Sequence, residues 1–326
     1  MKNNYNILTY FLSNSLFLGG GLSLILSTSS KDSWISSVLG TLLGISIIYI
    51  INKINTQKKE TNIFIKIIYF LYLLFLTFVL LVSLSTFLYS YFLPLTPVLI
   101  TCIPFIFLAT YLNSKSIKNI YYVGLSLLGL SIFIILLKSI MLIDEMDLSY
   151  LTPILTMNTN NIFKSSFLFA VISTSPYFLL VNEDISFKKS LKYYLISSIL
   201  NIIVIITMTS ILGDMVSIFS YPEYSVLRKI KILSFIENIE NFIAITWLFD
   251  IFITLSLVGL KFKELFNTKK RIIPFIICSI IMIIISFVIT NNYYSSMYLY
   301  NIFPYILSVF IILLILLYFI KMIRNN

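Results

Sequence analysis

The sequence predicts an all-α integral membrane protein with about ten transmembrane helices. Three observations predict this class. Of the 326 residues, 59% are hydrophobic and only 11% are charged, which excludes an ordinary soluble domain. Apolar runs near the roughly 20 residues that a helix needs to cross a bilayer recur along the whole chain. None of these runs alternates with the period of a membrane β-barrel, so helices are the predicted spanning elements.

Short polar breaks separate the apolar runs and define the predicted spans. The fourth run contains Pro97 and Pro104 and is the shortest. The predicted spans cover residues 6–28, 34–52, 65–90, 96–112, 119–142, 162–181, 190–213, 240–260, 272–291 and 299–320. Because the cytoplasmic loops are short, we expect a single membrane domain over residues 1–326, with two longer external loops at 143–161 and 214–239.

The chain has a net charge of +10, and the placement of its basic residues predicts the membrane topology. If both termini lie on one side of the membrane, that side carries seventeen of the 23 lysines and arginines. The other side carries six, which are Lys31, Lys138, Lys164, Arg228, Lys229 and Lys231. The positive-inside rule then predicts that both termini are cytoplasmic. The expected partner of this charge is the anionic membrane leaflet and not a nucleic acid.

Several kinds of chemistry are excluded by composition. The chain has no histidine, which excludes histidine zinc sites, Ser-His-Asp triads and histidine proton relays. Cys102 and Cys278 both fall inside predicted spans, so they do not indicate a disulfide framework. We therefore expect no catalytic residue, no cofactor and no metal site.

The first span of each half of the chain is interrupted. Ten spans divide into repeat one, about 6–142, and repeat two, about 162–320, and an odd number of spans per half inverts the second half relative to the first. Transporters of this inverted five-plus-five fold bind their substrates where helices 1 and 6 are broken. The interrupting residues in this chain are Gly19, Gly20 and Gly21 in span one, and Ser173, Thr174, Ser175 and Pro176 in span six.

Two interpretations of these interruptions remain open. Each glycine costs a helix roughly 1 kcal/mol relative to alanine, so the three glycines predict a segment that unwinds and lets a ligand approach the backbone. Pro176 removes a backbone donor, and the hydroxyls before it can occupy the groups that it frees. Alternatively, the glycines form a helix-packing face, as Gly40 and Gly44 are predicted to do, and Pro176 only kinks its helix.

Asp250 is the single carboxylate deep within a predicted span. Inserting it costs on the order of 3 kcal/mol, so it should face the bundle interior. It could carry a coupling proton, bind a cation or bind a substrate ammonium, with Thr254 as a second contact. The structural alternative is a hydrogen bond from the carboxylate to Thr246 or Thr254, one helical turn away. Lys138, near the end of span five, is predicted to reach the outer headgroups.

The predicted external loop 214–239 contains an amphipathic pattern. Its apolar positions lie opposite a basic set: Val226, Ile230 and Leu233 against Arg228, Lys229 and Lys231. This predicts a helix that either lies as a lid over a vestibule or rests in the lipid headgroups.

The order of four segments resembles a known family. GGG is followed by KDSWISSVLGTLLG, YPEYSVLRKI and FIENIENFIAITWLFD, an order similar to that of the B-subunit spore germination permeases of the amino acid-polyamine-organocation superfamily. The most specific pieces are Trp34 with Ile35 and Ser36, and the block that runs from Tyr221 and Pro222 through Glu240 to Trp247.

The resemblance implies a fold, a function and partners. Such proteins have the inverted five-plus-five fold and sense a nutrient germinant such as an amino acid. They do so in the bacterial cytoplasmic membrane or spore inner membrane, beside a larger A subunit and a C-subunit lipoprotein. Carried over to this chain, the resemblance implies a ligand site between Gly19–Gly21 and Ser173–Pro176, with walls from spans three and eight.

Other functions stay open at this point. The first alternative is a secondary transporter of amino acids or related solutes that is not tied to germination. An enzyme acting on lipid-linked substrates would need a cluster of acid, base or nucleophile at one membrane face, and the sequence shows only scattered carboxylates, so no enzymatic activity is expected. A scaffold that only holds partners in the membrane is the remaining alternative.

Overall fold

The chain is helical throughout the residues that its computed structural model describes. These are residues 5–55, 63–96, 98–183, 185–229, 240–266, 273–290 and 293–325, and they contain no strand. The helices are α1 (Leu8–Asn14), α2 (Leu22–Ser29), α3 (Ser33–Asn55), α4 (Ile63–Tyr91), α5 (Val98–Lys115), α6 (Ile117–Met141), α7 (Thr159–Thr174), α8 (Phe187–Leu212), α9 (Pro222–Lys229), α10 (Glu240–Phe266), α11 (Ile273–Thr290) and α12 (Tyr293–Asn325).

Seven segments of the described chain are long and apolar enough to cross a membrane. They are Leu22–Ile54, Ile63–Tyr91, Ile117–Met141, Thr159–Leu180, Phe187–Ser217, Ala244–Phe266 and Asn301–Ile320. Two shorter apolar helices cover Ile100–Asn113 and Ile273–Ile285. The all-helical membrane class is therefore confirmed. The count of ten spans stays a prediction, and the first predicted span does not form one regular helix because α1 ends at Asn14 and α2 begins only at Leu22.

The apolar residues divide between a bundle core and a lipid-facing surface. Helix α4 lies inside the bundle, where Tyr72 and most residues from Leu76 to Leu88 are buried. Large apolar side chains stay exposed on several other long helices, as at Phe107, Ile140 and Val288. Lipid satisfies such side chains as well as a protein core does, so these surfaces fit a membrane environment.

Glycines let α3 approach its neighbours closely. A Cβ on Gly40 would lie 2.7 Å from the Ser166 carbonyl oxygen of α7, and a Cβ on Gly44 would collide with the Tyr194 hydroxyl of α8. This confirms the packing interpretation of Gly40 and Gly44, since any side chain would push the helices apart.

Asp32, just before α3, anchors the connection that precedes α7. Its carboxylate accepts hydrogen bonds from the backbone N–H groups of Leu155 and Met157, both at 2.9 Å. Thr156 donates a longer bond of 3.4 Å from its hydroxyl. The buried charge of Asp32 is therefore satisfied by fixed donors, which is the usual condition for a carboxylate inside a protein.

Candidate functional site

The first interruption changes the helical pitch. Residues Phe17–Gly21 form a π-helical turn, and the N–H of Leu22 donates to the carbonyl of Phe17. A Cβ on Gly21 would collide with the Leu16 carbonyl oxygen and lie 3.0 Å from Ile172 Cγ2, so only glycine fits there. The backbone therefore stays helical through this turn and is not extended. Single π-turns inside α-helices often mark functional sites.

Side chains bind the carbonyls around this turn. Ser15 Oγ donates to the Leu12 carbonyl at 3.0 Å, and Ser23 Oγ donates to the Gly20 carbonyl at 3.1 Å. The carbonyl of Ser15 accepts from Trp247 Nε1 of α10 at 3.4 Å. The carbonyls of Leu12, Gly20 and Ser15 therefore all accept hydrogen bonds from protein side chains, and the bond from Trp247 connects α10 to the interruption.

The second interruption is a 3₁₀ turn. Helix α7 ends at Thr174, and Ser175–Leu180 continue as a 3₁₀ helix with Pro176 in its first turn. The hydroxyls of Ser173 and Thr174 donate to carbonyls within α7, at 2.8 Å and 2.6 Å. The expectation that they occupy the carbonyl left open by Pro176 is wrong, because both bond one turn earlier, to Phe169 and Ala170.

The glycine turn packs beside α7 immediately before Ser173. The rings of Phe17 and Phe169 meet edge to face with centroids 5.8 Å apart, and Gly21 lies against Ile172. The fold thus brings the two predicted segments next to each other in space.

The three hydroxyls of the second interruption have different surroundings. Ser173 lies 3.2 Å from the Tyr194 hydroxyl of α8, and the methyl group of Thr174 lies beside Gly44 of α3. These two side chains therefore contact α8 and α3 and not the glycine turn Gly19–Gly21. Ser175 Oγ is buried without a hydrogen-bond partner among the described residues. Of the three, Ser175 is the one with unused hydrogen-bonding capacity.

Helices α4 and α10, which contain the predicted spans three and eight, form hydrogen bonds to the second interruption and the residue after it. The Tyr72 hydroxyl donates to the Ser175 carbonyl at 2.6 Å, and the Tyr69 hydroxyl donates to the Phe178 carbonyl at 3.3 Å. Farther along, Lys261 of α10 donates to the Val181 carbonyl at 3.3 Å. These bonds hold the 3₁₀ turn in its present shape.

Asp250 is fully buried on α10. Neither of its carboxylate oxygens has a hydrogen-bond partner among the described residues. The hydroxyl of Thr254 donates to the backbone carbonyl of Asp250, at 2.8 Å, and not to the carboxylate. The structural alternative, in which Thr246 or Thr254 satisfies the carboxylate, is therefore wrong for this conformation. Since α10 runs from Glu240 to Phe266, Asp250 lies close to the middle of the helix, slightly towards its predicted outer end.

A polar face of α1, which the sequence analysis missed, lies towards Asp250. Tyr10 interacts electrostatically with Asp250, and the Tyr10 hydroxyl lies 3.1 Å from Ser131 Oγ. Asn14 accepts a bond of 2.6 Å from Ser197, while its Nδ2 donor has no partner within the described residues. The available signal was the sequence spacing of Asn6, Tyr10 and Asn14, four residues apart, which is the repeat of one helix face; in the structure Asn6 lies in the 3₁₀ turn Tyr5–Ile7 that precedes α1.

The predicted outer end is covered by α9. Lys138 of α6 is 3% exposed and forms an ion pair with Glu223 of α9, which is 5% exposed. The expectation that Lys138 reaches the headgroups is wrong, because a buried carboxylate lies in direct contact with its ammonium. Val226 and Leu227 are also buried, which favours the lid over the headgroup alternative. Ile230, Lys231 and Leu233 lie outside the described residues.

Aromatic rings fill the space between α9 and the bundle. The ring of Phe87 meets Trp247 with centroids 4.7 Å apart, and Tyr91 meets Tyr224 at 4.2 Å. The Tyr221 ring packs on both Phe87 and Tyr91. Trp247, the member of this aromatic cluster on α10, lies one helical turn before Asp250.

The opposite, predicted cytoplasmic end contains a second buried lysine. Lys261 is 2% exposed and pairs with Glu183 at 2.6 Å and Glu264 at 2.9 Å. A cavity of about 330 Å³ lies next to it, lined by Ile65, Lys66, Tyr69, Asn182, Lys261, Glu264, Leu265 and Tyr318. The segment after the 3₁₀ turn is therefore joined to α10 by an ion pair.

The comparison with protein families decides the assignment. Residues 11–294 match the family described as spore germination protein, which covers most of the chain. The chain belongs to the spore germination protein family. The sequence resemblance to the spore germination permeases is thereby confirmed. A search of curated proteins gave no match.

Solved structures show which fold this member of the spore germination protein family shares. A mutant of the manganese transporter of Eremococcus coleocola has a TM-score of 0.59 at 11% identity, over 94% of this chain and 77% of that chain. The same transporter in complex with an aromatic bis-isothiourea substituted compound has a TM-score of 0.49 at 13% identity, over 94% of this chain and 76% of the other. The first match shows that the chain shares the fold of this transporter.

Proposed function

We propose that this chain is the membrane subunit of a spore nutrient-germinant receptor. It binds an amino-acid-like small molecule near the membrane midplane, between the glycine turn Gly19–Gly21 and the segment Ser173–Pro176. An A-subunit membrane protein and a C-subunit lipoprotein complete the receptor, in the bacterial cytoplasmic membrane or spore inner membrane with both termini cytoplasmic. The observation that carries the proposal is the family match over residues 11–294.

The geometry of the interruptions supports a ligand site at this place. Gly21 packs against Ile172 of α7, so the glycine turn lies directly beside the helix that carries the second interruption. Ser175 Oγ and Asn14 Nδ2 are buried polar groups without a partner in the described part of the chain. Because buried polar groups normally find partners, these atoms are suited to bind the polar groups of a small molecule.

Asp250 supplies a negative charge for the ammonium group of such a ligand. Both of its carboxylate oxygens are buried and unpartnered among the described residues, and it shares its side of α10 with Trp247, which contacts the first interruption through Ser15. An ammonium placed beside the carboxylate would compensate a charge that is otherwise costly in the membrane. Thr254 supports Asp250 through the backbone and makes no direct contact with the carboxylate.

Secondary transport of amino acids or related solutes is the alternative function. It is favoured by the transporter fold, for which the TM-score is 0.59. In this function Asp250 would bind the substrate ammonium or carry the coupling proton. A receptor binds the ligand without moving it across the membrane, whereas a transporter carries it into vesicles.

Ligand binding and uptake by the purified protein test both functions. In nanodiscs, we expect at least one of the standard amino acids to raise the thermal unfolding temperature saturably, and Gly20→Leu to abolish this shift by filling the ligand space. Uptake of the bound amino acid into proteoliposomes under a proton gradient then distinguishes the two functions, because only a transporter accumulates it. No shift with any amino acid in the folded parent protein would refute the proposed ligand class.

A further inference from the structure

Three buried ionisable side chains lie in the predicted outer half of the bundle. Lys138, Glu223 and Asp250 are 3%, 5% and 0% exposed. Lys138 contacts Glu223 directly and also interacts electrostatically with Asp250. One lysine therefore lies near two carboxylates, and within the described part of the chain Asp250 is the one without a hydrogen-bond partner. Buried charges are costly unless they are paired, so the two carboxylates compete for the same ammonium.

The two carboxylates belong to helices of very different length and packing. Asp250 lies inside α10, a helix of 27 residues whose neighbouring Trp247 bonds to the chain before the glycine turn. Glu223 lies in the first turn of α9, which has eight residues and covers the bundle from its end. Displacing α9 would remove Glu223 from Lys138 while Asp250 remains in place. The long, flexible lysine side chain can then turn to Asp250, because its ammonium already lies within electrostatic range.

We propose that Lys138 is a shared counter-ion whose choice of partner controls whether α9 covers the site. Paired with Glu223, Lys138 holds α9 and its aromatic side chains over Trp247. Paired with Asp250, it leaves Glu223 without a counter-ion and α9 displaced. A cationic occupant of Asp250, such as a primary ammonium, repels Lys138 towards Glu223 and so closes α9 over itself. This last step rests on the proposed function, whereas the exchange of partners does not.

Labelling of a cysteine on the buried face of α9 tests the exchange. Val226 is 4% exposed, so Val226→Cys, in the full chain with Cys102 and Cys278 replaced by alanine, reports displacement of α9 through its reaction with an impermeant maleimide. We expect Glu223→Gln to raise the labelling rate at least about tenfold, because removing one partner of a buried ion pair strongly weakens the contact. Lys138→Arg keeps the ion pair and should label at the parent rate.

Asp250→Asn gives the decisive result, because the exchange predicts that it slows the labelling of Val226→Cys whereas Glu223→Gln accelerates it. Without the Asp250 charge, Lys138 has only Glu223 as its partner, so labelling should be slower than in the parent. General loosening of the bundle would make labelling faster. Glu183→Gln, which weakens the buried ion pair at the other end, is the matched control and should leave labelling of α9 unchanged. Faster labelling in Asp250→Asn, or no effect of Glu223→Gln, would overturn the proposed exchange.

Methylammonium tests the cationic occupant separately. It should slow the labelling of Val226→Cys saturably in the parent and have no effect in Asp250→Asn. If Glu223→Gln and Asp250→Asn behave as expected but methylammonium has no effect, the closing of α9 by a cation is overturned and the exchange of partners stands. Failure of the proposed function would instead appear as absence of any amino-acid binding, which these labelling rates do not measure.

Discussion

Replacing the Asp250 carboxylate by an amide should stabilise the fold while removing ligand binding. The side chain is fully buried and neither oxygen has a partner among the described residues. A carboxylate deep in a transmembrane helix costs on the order of 3 kcal/mol, and Asp250→Asn removes this cost while keeping the shape. We therefore expect a gain of up to about 3 kcal/mol, at a few degrees per kcal/mol a rise of roughly 5–10 °C in unfolding temperature.

Thermal unfolding in detergent, followed by tryptophan fluorescence, measures this change. The chain has two tryptophans, and Trp247 lies one turn from Asp250 on the same helix. Asp32→Asn is the matched control, because the Asp32 carboxylate accepts backbone hydrogen bonds from Leu155 and Met157. An amide cannot accept at both positions, so this variant should lose about 1–3 kcal/mol.

Opposite signs for the two variants would support the idea that Asp250 is kept for binding and not for stability. A fall in unfolding temperature for Asp250→Asn, comparable with that of Asp32→Asn, would refute it. Such a fall would mean that the Asp250 carboxylate has stabilising partners after all. An unchanged amino-acid thermal shift in Asp250→Asn would separately exclude Asp250 as the ammonium contact.

Three further predictions concern topology and the two interruptions. Cysteines at Asn55 and Asn267 should be protected from an impermeant thiol reagent applied outside, because the positive-inside rule places both loops in the cytoplasm; labelling of either would contradict that orientation. Gly20→Leu should abolish the amino-acid thermal shift in a folded protein, whereas Gly129→Leu, at a position with open space, should bind normally; binding by both variants would assign the glycine turn to helix packing. Tyr72→Phe should lower stability by about 0.5–1.5 kcal/mol, because it removes the hydrogen bond to the Ser175 carbonyl at the start of the 3₁₀ turn; unchanged stability in chemical unfolding would show that this bond does not hold the turn.

Several features of the protein were determined by the sequence itself. The all-helical membrane class followed from hydrophobicity, because a bilayer admits so few spanning structures. The sequence also indicated where the helix geometry changes: a π-helical turn covers Phe17–Gly21, and a 3₁₀ turn starts at Ser175 with Pro176 in its first turn. The packing of Gly40 and Gly44 was predicted for the same reason, since the absence of a side chain is a local property.

Tertiary structure alone decided which polar side chains meet. Lys138 was expected in the headgroups, and only the placement of α9 brought Glu223 into contact with it. Ser173 and Thr174 bond within α7 and face α3 and α8, which depends on how α7 is rotated about its axis. Likewise, only the packing of the helices brought Gly21 against Ile172 of α7. Sequence patterns describe one helix at a time, whereas the partners of a buried charge or hydroxyl come from other helices whose rotation and depth are set by packing.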